Sequence, residues 1–173
     1  MNKFVLKLIN NKYYWHQCPI NYNNNCYRYF KVTIKKNYKM LINSNIKLLV
    51  VHCSDTENNR DLNALDIHKM HLGFGWDGIG YHKIICRSGK IENGRPEYWI
   101  GAHVKDYNNI SLGVCLIGRD KFTNQQFTSL ESVLKSWKAL YPKTEIVGHC
   151  NTGNTEKTCP NFDVKTWCKD KNL

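Results

Sequence analysis

The sequence predicts an α/β fold, a sheet covered by helices. Three observations lead there. Continuous apolar runs closed by polar residues, "IKLLVVHCS", "SLGVCLIG" and "EIVGHC", suit strands buried on both faces. Two longer segments between them, "RDLNALDIHKMHLGFGW" and "TNQQFTSLESVLKSWKALYP", carry apolar residues at helical spacing. From Ile46 onward the two kinds of segment alternate, with no internal repeat. At 173 residues the chain can build one domain with a sizeable core and is too short for two comfortable ones.

Taken in order, residues 1–45 form an accessory extension rich in Asn, Lys and Tyr, with "NYNNN" as its low-complexity patch. Within it "YRYFKVTIKK" alternates aromatic and β-branched residues with basic ones, the pattern of a strand or hairpin. The domain proper is expected over 46–173. Its first strand is "IKLLVVHCS". The first helix follows, with Leu62, Leu65, Met70 and Leu72 on its apolar stripe and Gly73 as a stop. "GYHKIICRSGKIENGR" reads as strand, Ser-Gly turn, strand. After "SLGVCLIG", the second helix has Thr123 as N-cap, a stripe of Phe127, Leu130, Leu134 and Trp137, and an end at Pro142. "EIVGHC" is the last strand and "FDVKTWCKD" a short closing helix.

The formal charge of +11 is unevenly spread. Eight of the 25 basic residues and none of the 14 acidic ones fall in the first 45 residues, so the remainder is nearly balanced. A basic groove for a nucleic-acid backbone does not fit that distribution, and no nucleic-acid partner is expected. No apolar run reaches the roughly 18 residues of a membrane-spanning helix. The N-terminus, interrupted by Lys7, makes a poor signal peptide, so synthesis in a reducing cytosol is expected. Of eight cysteines, Cys53, Cys86 and Cys115 sit inside apolar runs and read as buried, reduced thiols.

His52 ends the first buried strand and His149 the last. Sites in α/β sheets gather at the carboxyl ends of strands, so these two side chains can face each other. Cys159 follows on a polar loop that can fold back. Two His and one Cys would hold a tetrahedral zinc with one open position. A Cys150/Cys159 redox pair and ordinary core or solvated residues are the alternatives that spacing leaves open.

Four blocks, "LVVHCSDT", "HLGFGWDGIGYHKIICRSGKIENGRPE", "GAHVKDYNNISLGVCLIG" and "GHCNTGNTEKTCPNFDVKTW", occur in an order that resembles the type-two N-acetylmuramoyl-L-alanine amidases. That family includes the zinc amidase lysozymes of T-odd bacteriophages and, more distantly, the peptidoglycan recognition proteins. The resemblance implies a central mixed sheet flanked by helices and one zinc per chain on His52, His149 and Cys159. It also implies Tyr81 beside the metal water and Lys157 as the charge that stabilises an oxyanion. His103 matches a histidine near the groove, which implies substrate contact. His71 matches a structural position, and His82, next to Tyr81, is expected to pack through hydrogen bonds on the opposite face. The implied reaction is hydrolysis of the amide between N-acetylmuramic acid and L-alanine in peptidoglycan or muropeptides, by a monomer reaching the wall after release. Two other roles accompany the family: a recognition module that binds muropeptide without cutting it, and a lysozyme that also regulates an RNA polymerase. The loop between His149 and Lys157 looks longer than in the phage lysozymes, and residues 1–45 have no counterpart.

Overall fold

A computed structural model describes residues 3–9, 12–18, 39–153 and 155–173. The chain divides into two compact units, Met1–Tyr38 and Lys39–Leu173. In the first, β1 (Lys3–Ile9) pairs antiparallel with β2 (Lys12–Cys18), Lys3 opposite Cys18 and Ile9 opposite Lys12. The sequence reading had no strands there, and the stretch "YRYFKVTIKK" lies outside the described residues.

The second unit begins before the boundary at residue 46 read from the sequence. Leu41 is buried and its N–H donates to the Tyr98 carbonyl, while Ile100 N–H donates to the Lys39 carbonyl. Among the described residues of this unit, β3 (Leu48–Cys53), β4 (Lys83–Ile85), β5 (Ile91–Asn93), β6 (Ser111–Leu116) and β7 (Glu145–Gly148) form one sheet in the order β5-β4-β6-β3-β7. β4, β6, β3 and β7 run parallel, and β5 returns antiparallel to β4, so the sheet is mixed as expected. The Ser-Gly turn between β4 and β5 is closed by Gly89 N–H to Cys86 O, with Gly89 at a positive φ.

The two faces of the sheet bury different helices. Leu49 and Val51 of β3, with Leu112, Val114 and Leu116 of β6, meet α2 (Asn124–Leu140) and α3 (Val164–Asp170) through Leu130, Leu134, Trp137 and Val164. The opposite face presents Ile84 and Cys115 to Ile67 of α1 (Ala64–Gly73). Strand periodicity therefore puts His52 on the α1 face, where it registers opposite Cys115.

Thr123 caps α2 as expected, reinforced by Gln126 in a capping box. Asn63 and Asp66 do the same for α1. The expected α1 stripe is only half right. Ile67 and His71 are buried, Leu62 and Met70 pack beside them, and Leu65 and Leu72 are exposed. His71 takes a core position because its Nδ1 accepts the Gly80 N–H at 3.1 Å, a partner no apolar side chain supplies. Cys53, Cys86 and Cys115 are buried and free of disulfides.

Candidate metal centre

β3 and β7 are neighbours, with Val51 opposite Gly148, so their carboxyl ends bring His52 and His149 side by side. The chain leaves β7 in a single 3-10 turn, His149–Thr152, with Thr152 Oγ1 donating to the His149 carbonyl at 2.8 Å. The two rings lie 4.6 Å apart, centre to centre. The loop before α3 then folds back. Cys150 N–H donates to the Cys159 carbonyl at 2.8 Å, and Cys53 N–H points at Cys159 Sγ at 3.2 Å. One ligand atom each from His52, His149 and Cys159 falls within 4.8 Å of the others. His52 turns Nδ1 toward the sulfur, 3.9 Å away.

A tetrahedral zinc with bonds of about 2.0–2.3 Å needs donors spaced a little more closely than this, a change within the reach of side-chain rotation. Two imidazoles and a thiol are a zinc-type donor set, and three protein ligands leave a fourth position open. The residues present fit the metal that the resemblance implies.

The electrostatics of the two histidines favour ligation, while Cys53 and burial push the Cys159 thiol up. Burial holds His52 well below the usual histidine range, aided by His149 and by the charge of Lys157. His149 is lowered by burial and by Lys157. Both rings are therefore neutral near pH 7, the form that binds metal. A hydrogen bond between the Cys53 and Cys159 thiols eases loss of the first proton of the pair and hinders loss of the second. Cys150 and Cys159 are both free thiols, with no disulfide between them.

Tyr81 precedes β4, and its ring lies tilted against His52 with the centres 5.1 Å apart. Burial, then Cys115, push its phenol well above the ordinary range, so it stays protonated. Lys157 is exposed on the loop, yet its charge reaches both histidines. His82 is fully buried, accepting the Gly113 N–H on Nδ1 and facing the Trp99 carbonyl through Nε2, each at 3.0 Å, which is the packing role expected of it.

His103, for which the resemblance implies substrate contact, lies behind His52 and is 9% exposed. Its Nδ1 is 3.0 Å from His52 Nε2. The ring fits there because Gly101 and Gly113 lack side chains: a Cβ on Gly113 would stand 2.6 Å from His103 Nδ1. Sequence reasoning passed over Gly113, Ser111 and the Cys53 N–H; two glycines bracketing a histidine within the block "GAHVKDYNNISLGVCLIG" were the signal available.

A family model described as N-acetylmuramoyl-L-alanine amidase matches residues 42–162. The endolysin of Enterobacteria phage K11 is 40% identical over 131 residues, 71% of this chain and 85% of its own length. The endolysin of Escherichia phage T7 is 38% identical over 133 residues, 72% of this chain and 87% of its own. Among solved structures, the N-acetylmuramoyl-L-alanine amidase LysC from Clostridium intestinale superposes with a TM-score of 0.67 at 28% identity, covering 80% of this chain and 95% of that one.

Proposed function

Because this chain belongs to the N-acetylmuramoyl-L-alanine amidase family and is an enzyme of that class, we propose that it is a zinc-dependent endolysin. It cuts the amide between the lactyl group of N-acetylmuramic acid and L-alanine in peptidoglycan. The observation that carries the zinc dependence is the convergence of His52, His149 and Cys159 within 4.8 Å, at two strand ends and on a loop that folds back to them. Like its endolysin relatives by name, it acts on the wall after release. Among the described residues no helix is long and apolar enough to cross a membrane.

Zinc held by these three residues supplies Lewis-acid chemistry, easing deprotonation of a water near neutral pH. The chain's own groups do the rest. The protonated Tyr81 phenol donates a hydrogen bond that orients the attacking water or the scissile carbonyl. Lys157 offers a positive charge to the oxyanion developing on that carbonyl. The Cys53 N–H steadies the Cys159 sulfur as an anion.

The test is incubation with purified peptidoglycan, with and without chelator, followed by mass spectrometry. Released stems with a free L-alanine amino terminus, lost on chelation and restored by zinc, are expected. Cleavage that persists after complete metal removal would overturn the zinc dependence. Wall binding without release of stems would favour the recognition-module reading.

A further inference from the structure

We infer that His103 is a positioning residue: it fixes the tautomer of His52, so that the Nδ1 lone pair of His52 faces the metal position. The inference rests on the zinc reading above and adds a chain of hydrogen bonds behind it. Ser111 Oγ donates its proton to the Tyr107 carbonyl at 2.7 Å. With that proton committed, the hydroxyl can only accept from His103 Nε2, 3.4 Å away. His103 therefore carries its hydrogen on Nε2 and presents a lone pair on Nδ1. That lone pair accepts from His52 Nε2 at 3.0 Å, which leaves His52 Nδ1 unprotonated on the side of Cys159 Sγ.

Each link has a structural reason. Ser111 opens β6 and is fully buried, so its hydroxyl must find partners inside the protein. His103 is held from its backbone too, since Asn108 Oδ1 accepts both the His103 and the Val104 N–H, at 2.8 and 3.0 Å. Gly101 and Gly113 leave the space its ring fills. The arrangement runs from a main-chain carbonyl to a ligand nitrogen, and every ring proton in it has one assigned acceptor. Ligating histidines that donate their second nitrogen to a fixed acceptor are oriented by it, and losing that acceptor typically weakens metal binding about 10–100-fold.

The test reads tautomers and zinc affinity separately. Two-dimensional 15N–1H NMR of the zinc-free, full-length chain should find the hydrogen of His52 on Nε2, and that of His103 on Nε2. His103→Ala should bind zinc about 10–100-fold more weakly in a chelator competition. His103→Asn should restore most of that affinity, because its side-chain oxygen accepts where Nδ1 did; a purely space-filling role would not be rescued this way. Should His103→Ala fail to fold, Ser111→Ala supplies the second reading, with a mixed tautomer at His103. A hydrogen on His52 Nδ1, or full zinc affinity in a folded His103→Ala, overturns the inference. If the unsubstituted chain takes up no zinc, the proposed function falls, and the zinc-free tautomers still decide this chain of bonds.

Discussion

Cys159 is the one thiol in the candidate ligand set and the one member carried on a loop instead of a strand end. Its replacement should therefore separate metal retention from folding. Cys159→Ala is expected to lose more zinc affinity than the roughly 10–100-fold that follows loss of a partner behind a ligand. Metal analysis after dialysis checks it, and undiminished zinc would remove Cys159 from the set. Lys157→Ala and Tyr81→Phe should keep zinc and fold while kcat falls, by about 10²–10³ for the oxyanion charge and about 10²–10⁴ for the phenol. Michaelis constants near that of the unsubstituted enzyme would mark both as acting in the transition state. The sequence made part of this centre legible. His52 and His149 end apolar runs and Cys159 follows on a polar loop able to fold back, so spacing reaches all three as candidates, whereas Tyr81 and Lys157 needed the family pattern. The place of His103 was not legible. It depends on two absent side chains, at Gly101 and Gly113, and on a hydroxyl whose proton is claimed elsewhere.

At the level of elements, Gln126 ties α2 to the sheet. Its Nε2 donates to the Ile85 and Ile117 carbonyls at 3.2 and 2.8 Å, at the end of β4 and just beyond β6, and its Oε1 accepts from Arg87 Nη1 at 2.9 Å. Removing a fully buried amide with these partners takes away three hydrogen bonds at once: Ile85 O keeps only the Ile117 N–H, Ile117 O keeps only Arg87 Nη1, and Arg87 loses an acceptor. Gln126→Leu should cost about 2–3 kcal/mol. For a chain of this size that is a fall in Tm of about 5–10 °C, with zinc affinity unchanged. A Tm within error of the unsubstituted protein would show that Gln126 is dispensable. Long periodic segments were the ones that could be read in advance. β3, β6 and α2 declare themselves because burial on one face or two leaves a repeating signature. α1 does not, because a hydrogen-bonded His71 occupies its buried line while Leu65 and Leu72 face outward. The β1–β2 ribbon lies in a segment dense with lysine and asparagine, where composition hides the pairing.

For the molecule as a whole, the buried histidines set how stability depends on pH. Burial lowers His82 to about 4, and burial also lowers His52, His71 and His103. Unfolded histidines titrate near about 6.5. The unfolded chain thus binds more protons between these limits, and stability is present above about 6.5 and lost as pH falls toward 4. His82 alone accounts for about 3 kcal/mol across that window. Urea denaturation of the zinc-free protein at pH 7 and pH 5 should find the midpoint lower at pH 5; equal midpoints would contradict neutral burial. The centre has one more consequence, for the chain's tail. A zinc held by residues 52, 149 and 159 would clasp the C-terminal segment to β3, the strand beside the β7 edge of the sheet. Mass action makes that clasp worth about 2.7 kcal/mol when free zinc is a hundredfold above its dissociation constant. Chelation should then loosen the end of the protein before its middle. Amide hydrogen exchange across Val164–Asp170 is expected to quicken while β3 and β6 keep their protection, so that α3 reports on the occupancy of the candidate metal centre.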